Sequence, residues 1–229
     1  MTSQEFLREL DERIAKFDLL THPFYQAWSK GELTREEIRE YASDYYHHVH
    51  AFPTYLAELA MRLEDGDLRQ TVLTNLADEK GSHDHSAHDE IWLDFAAAFG
   101  AHDVTRHRNP STGVADLMKF YHQTAADGSP QEAIAAFYAY ESQVPRLAAE
   151  KERSLKAFYN ADDNATRYFT LHKTADLEHA ASWRQELARQ IEAAPESSEK
   201  ALHAAEQAAR SLWNALDGIE AARLQIRAA

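Results

Sequence analysis

Chain breakers are scarce: seven glycines and six prolines punctuate 229 residues, well below ordinary usage. A helix needs a stop only at its end, whereas an all-β chain needs a turn every ten residues or so. No G-x-G-x-x-G or Walker-type loop is present, so nothing supports a nucleotide cradle on a parallel sheet. The expected class is all-α. Thr2 and Glu5 form a capping box, and Phe6, Leu7, Leu10, Ile14 and Phe17 keep helical spacing behind it. A short second helix opens at Pro23 and stops at Gly31. Thr34 and Glu37 start a third, Glu36 to about Ala51, which Pro53 is expected to stop before a fourth from Thr54 to about Leu63. Helical pattern then runs from Leu68 to Phe99 with a disturbance near Gly81, and from about Gly113 to Ala126. The next run begins at Gln131, with a kink or break expected at Pro145. Asp162 to Asn164 cap a helix reaching about Ala193, and Ser197 or Ser198 caps a last one reaching Leu224. Neither a repeat nor a dividing linker appears, so residues 1–229 are expected to form a single helical-bundle domain.

Charge and cysteine usage narrow the function classes. Against 24 Lys and Arg stand 38 Asp and Glu, a formal charge of −14. Phosphate binding needs a basic patch, so neither nucleic acid nor an anionic membrane is an expected partner. The cysteine count is zero, which excludes disulfides, thiolate zinc sites and a cysteine nucleophile. With no signal-peptide pattern and no apolar run of spanning length, a cytoplasmic location is the expectation.

The thirteen histidines are unevenly spread. A helix turns about 100° per residue, so His172, Asp176 and His179 fall on one stripe roughly 60° wide. Two imidazoles and a carboxylate on one stripe are a half-site for a divalent transition metal; the alternative is a polar face with two ordinary histidines. Tyr168 and Ala175 on the same stripe favour an inward direction. Glu141 ends a run, Ala135 to Tyr140, that is apolar or aromatic throughout. A carboxylate there is expensive to bury unless paired, hydrogen-bonded or metal-bound; a salt bridge to Arg146 or Lys151 competes with a metal. In the segment Asp78 to His88, Glu79 and His83 share a helical face, while Glu79 and His88 lie about half a turn out of phase on a continuous helix. They converge only if the helix unwinds, and Gly81-Ser82 is where it can. Carboxylates and histidines from several helices are how bundles hold two metal ions in their cores. An O- and N-rich set without sulfur suits iron or manganese.

Five blocks then carry a resemblance: Trp28-Ser-Lys-Gly-Glu-Leu-Thr34, Asp44-Tyr-Tyr46, Ala51-Phe-Pro53 with Tyr55, Tyr140-Glu-Ser-Gln-Val-Pro-Arg146, and Tyr168-Phe-Thr-Leu-His172. Together they resemble the CADD-like branch of the haem-oxygenase-like dimetal oxidases and oxygenases, in matching order from about residue 5 to residue 215. The resemblance implies a single seven-helix bundle, a fold shared with cofactor-free enzymes that make pyrroloquinoline quinone and with thiaminase-like enzymes. The absent cysteine weakens the thiaminase reading, and the six-ligand set weakens the metal-free one. Carried over residue by residue, it implies Glu79, His88, Glu141, His172, Asp176 and His179 as ligands of two transition-metal ions, iron and/or manganese. His88 is chosen because Trp92, Phe95 and Gly100 keep the family spacing after it. The chain departs from the pattern by two extra residues between Glu79 and His88, and His83 is the alternative that helical phase favours. The branch makes para-aminobenzoate from its own side chains, which implies Tyr25 as ring source and Lys151 as amino donor, with dioxygen as co-substrate and an external electron donor. Relatives imply a homodimer. Two other readings stand beside this one: a multi-turnover dimetal oxidase acting on a separate small molecule, and a helical interaction protein without enzymatic activity.

Overall fold

A computed structural model describes residues 1–82, 86–102 and 104–228. Helix α1 (Ser3–Ala15) carries the Thr2/Glu5 capping box, with the Glu5 N–H donating to Thr2 Oγ1 at 3.2 Å. Helix α2 (Pro23–Ser29) starts on its proline and is stopped at Gly31, where φ is +71°. Helix α3 (Arg35–Arg62) opens on the Thr34/Glu37 box and runs straight through Pro53, so the expected stop there is corrected. An interior proline costs roughly 3 kcal/mol. Phe52 just before it and Tyr55, Leu56 and Leu59 beyond it are all buried, each returning roughly 1.5–3 kcal/mol on burial, and the helix survives.

Helices α4 (Asp67–Lys80) and α5 (His88–Ala98) are separated at Gly81, where φ is +69°. A single turn α6 (Val104–His107) precedes α7 (Thr112–Asp127). Helix α8 (Pro130–Glu141) is followed after Ser142 and Gln143 by α9 (Val144–Tyr159), with Pro145 in the first turn of α9. The break expected at Pro145 therefore falls just before it, where a missing N–H costs least. Helix α10 (Asp163–Ala193), capped by Asp162, and α11 (Ser198–Ala228) are the longest elements. The secondary structure of the described residues is helical, as expected, but the count of seven is corrected: eleven α-helices form, ten of them longer than one turn, beside two three-residue 3₁₀ turns. Gly81 and the Ser142–Gln143 pair cut longer runs in two, and α2 and α6 are short elements of their own.

Packing places α8 at the centre, buried at every position from Ala133 to Glu141. Helices α10 and α11 lie against it; α7 packs on α3 and α11, and α5 and α9 flank α10. Among the described residues no helix is long and apolar enough to cross a membrane.

Candidate metal centre

Four helices deliver the six residues. Glu79 is the next-to-last residue of α4, His88 the first of α5 and Glu141 the last of α8, while His172, Asp176 and His179 lie on the inward face of α10. The half-turn mismatch between Glu79 and His88 vanishes because α4 ends at Lys80 and α5 restarts at His88 on a new axis. The alternative, His83, lies outside the described residues. All six side chains are buried, Glu141 to 1 % exposure. Glu79, His88 and His172 form one group and Glu79, Glu141, Asp176 and His179 a second, each with ligand atoms within 4.8 Å of one another. Glu79 belongs to both, the position of a carboxylate able to bridge two ions.

Charge is balanced by protons in this geometry. Burial opposes the charge on His88, but Glu79 Oε2 at 3.0 Å from its Nδ1 outweighs it and raises the pKa; Glu79 is lowered in turn, His88 overcoming the burial that raises it. Burial, joined by the Glu141 and Glu79 charges and opposed by the nearby His179 ring, pushes Asp176 up to about 7. Burial opposes His179 as well, yet Asp176 and Glu141 raise it to about 11. His172 is the exception: burial and the nearby His88 push it down to about 4. Its Nδ1–H donates to the Tyr168 carbonyl at 2.7 Å, which leaves Nε2 as the lone-pair nitrogen. The donor set fits a metal. His88 Nδ1 and His179 Nδ1 are buried without any hydrogen bond, although carboxylate oxygens stand 3.0 Å from the first and 3.3 and 3.5 Å from the second. Close approach without N–H···O alignment is what lone pairs converging on a common ion produce.

Glu141 pairs with neither Arg146 nor Lys151. Asn75 Nδ2 donates to its Oε1 at 2.9 Å and the Trp183 indole N–H donates to its Oε2, while Arg146 pairs with Asp18. Asn75 and Trp183 were missed in the sequence, though each sits one helical turn from a predicted ligand, Glu79 and His179 respectively.

Tyr25 and Lys151 meet in an adjoining compartment. The Tyr25 and Tyr41 hydroxyls are 2.9 Å apart and Lys151 Nζ donates to Tyr41 Oη at 2.6 Å. The Nζ stands 4.6 Å from the centre of the Tyr25 ring, with five further aromatic rings within 6.0 Å. Lys151 is 7 % exposed, and among the described residues no carboxylate pairs with it. Burial pushes its pKa well below the ordinary lysine value and holds Tyr25 well above the ordinary phenol value. A cavity of about 30 Å³ is lined by Tyr25, Lys151, Tyr45, Tyr140 and Tyr168 among others. A smaller one is lined by Tyr140 and Tyr168 together with Glu79, Glu141, His172 and Asp176. Two tyrosines thus form the wall between the acid–imidazole cluster and the Tyr25–Lys151 pair.

Residues 39–213 match the family described as iron-containing redox enzymes. A 4-aminobenzoate synthase of Chlamydia muridarum is 38 % identical over 220 residues, covering 94 % of this chain and 90 % of its own length. A protein of the same name from Nitrosomonas europaea is 35 % identical over 231 residues, covering 96 % and 92 %. Among solved structures, a domain with a haem-oxygenase-like fold from Shewanella denitrificans superposes with a TM-score of 0.80 at 14 % identity, covering 99 % of this chain and 95 % of that one.

Proposed function

We propose that this chain, which belongs to the haem-oxygenase-like iron-containing redox enzymes, forms 4-aminobenzoate from its own side chains, with the ring from Tyr25 and the amino nitrogen from Lys151. The observation that carries the reading is Lys151 Nζ held 4.6 Å over the Tyr25 ring, one tyrosine wall away from the acid–imidazole cluster. Glu79, His88, Glu141, His172, Asp176 and His179 would hold two ions, iron and/or manganese, with Glu79 shared. Ions bound there would supply oxidising power from dioxygen and an external electron donor.

The remaining roles belong to the protein. Burial without a counter-ion among the described residues pushes Lys151 toward the uncharged amine that an amino donor needs, and Tyr41 holds its Nζ by one hydrogen bond while its hydroxyl also meets that of Tyr25. The ring and the amine need no encounter step, so positioning stands in for substrate binding. The cavity between them, about 30 Å³, has room for one or two waters and not for a separate organic substrate.

The test uses protein produced with ring-¹³C tyrosine and side-chain-¹⁵N lysine, loaded with Fe(II) and Mn(II) and exposed to reductant and oxygen. The expected result is doubly labelled 4-aminobenzoate and a peptide mass loss confined to positions 25 and 151. A chain that stays intact while continuing to consume oxygen overturns the reading in favour of a multi-turnover oxidase.

A further inference from the structure

His179 uses both ring nitrogens. Its Nδ1 faces Glu141 and Asp176, at 3.3 and 3.5 Å, and has no hydrogen bond although it is buried. Its Nε2 points the other way, 3.2 Å from Oδ2 of Asp78. Asp78 lies on α4 directly before Glu79; its side chain is 56 % exposed, and His179 is its hydrogen-bonding partner among the described side chains. The contrast with His172 is instructive. That ring has its orientation set by a main-chain carbonyl, Tyr168 O, which no substitution removes, whereas His179 depends on a side chain.

We propose that Asp78 is a positioning residue that accepts the Nε2–H of His179 and thereby holds Nδ1 as the lone pair aimed at an ion shared with Glu141 and Asp176. The inference rests on the six-residue cluster being a metal centre. An imidazole binds a metal through one nitrogen only when the proton sits on the other, and an acceptor at that other nitrogen selects the tautomer and fixes the ring plane. Outer partners of this kind change metal affinity by about 10- to 100-fold. Asp78 is half exposed, so water substitutes for it in part and the lower end applies. The effect is confined to the group containing His179. Among the described side chains no hydrogen bond or salt bridge joins the Asp78 carboxylate to Glu79, His88 or His172, whose polar partners lie elsewhere.

The experiment compares full-length wild type, Asp78→Ala and Asp78→Glu. Metal-free protein is titrated with Mn(II) and free ion is counted by electron paramagnetic resonance. Wild type is expected to bind two ions, and Asp78→Ala to lose about tenfold in affinity at one site with the other unchanged. Asp78→Glu, which returns a carboxylate, restores part of the loss. Zn(II)-loaded protein gives a readout that a merely structural role would not move. Long-range ¹H–¹⁵N correlations should show His179 protonated at Nε2 in wild type and no longer held in that single form in Asp78→Ala. Identical Mn(II) isotherms in wild type and Asp78→Ala overturn the proposal and leave the metal centre standing. Equal weakening of both sites overturns it too, since that reports general damage. A wild type that binds no Mn(II), Fe(II) or Zn(II) overturns the metal-centre reading itself.

Discussion

Replacing Lys151 by methionine reports whether the buried lysine is a free amine, as the proposed chemistry requires. The Nζ sits among six aromatic rings, its one hydrogen bond runs to Tyr41, and burial pushes its pKa well below the ordinary value. In the unfolded chain a lysine keeps its proton up to about pH 10.4. Between the folded pKa and that value the unfolded state therefore binds one more proton than the folded state. Stability rises with pH across this window by up to about 1.4 kcal/mol per pH unit. The contribution is complete above the unfolded pKa and is lost as pH falls toward the folded one. Methionine keeps an unbranched stem one atom shorter than lysine and does not titrate, so the variant's unfolding free energy lacks this slope. Tyr41 keeps the Tyr25 hydroxyl as a partner at 2.9 Å, so the substitution strands no buried group. The assay is urea unfolding of metal-free wild type and Lys151→Met in steps from about pH 7.5 to about 9.5. The difference curve isolates the one proton from every other titration. The variant should be the more stable at the lower end, with the gap closing by up to about 1.4 kcal/mol per pH unit as pH rises. Parallel curves would mean that Lys151 carries its charge in the fold, and the amine-donor role would fail with it.

Metal analysis separates the two ligand groups. Glu79→Ala should lower occupancy of both, because Glu79 is common to them, whereas Asp176→Ala should lower one; elemental analysis after gel filtration decides, and equal losses in the two variants would contradict the shared carboxylate. Trp183→Phe keeps most of a fully buried ring but leaves Glu141 Oε2 without its donor, at a cost of about 1–3 kcal/mol that denaturant unfolding will register; an unchanged midpoint refutes the assigned bond. Gly81→Ala forces a side chain into φ +69°, ψ −175°, a conformation that costs of order 1–3 kcal/mol outside glycine. It should lower the melting temperature and weaken metal binding through His88, and wild-type values for both would show that the α4–α5 junction tolerates a Cβ.

Much of this molecule is written locally. The capping boxes at Thr2 and Thr34, the start at Pro23 and the stop at Gly31 each involve hydrogen bonds or backbone angles within a few residues, so neighbouring identities suffice to decide them. The stripe of His172, Asp176 and His179 was legible for the same reason: one uninterrupted helix converts spacing directly into direction. Glu141 was legible through cost, because an acid closing an apolar run has to be compensated somewhere.

What compensates it was not legible, since Asn75 and Trp183 come from other turns of α4 and α10. Pro53 shows local preference losing to packing, the buried aromatic face carrying α3 through a residue that on its own ends helices. The pairing of Glu79 with His88 depends on where α5 restarts after Gly81, which periodicity along a single axis cannot express. The approach of Lys151 to Tyr25 depends on how α9 lies against α2. By itself the amino-acid sequence determined the all-helical class, the capped starts and the glycine stop of the first helices, and the face shared by His172, Asp176 and His179, because those follow from forces acting within about a helical turn. Only the packing of the helices decided which acids and imidazoles meet, because convergence is a property of the relative placement of axes, and that is settled by the sum of many weak apolar contacts between segments far apart along the chain.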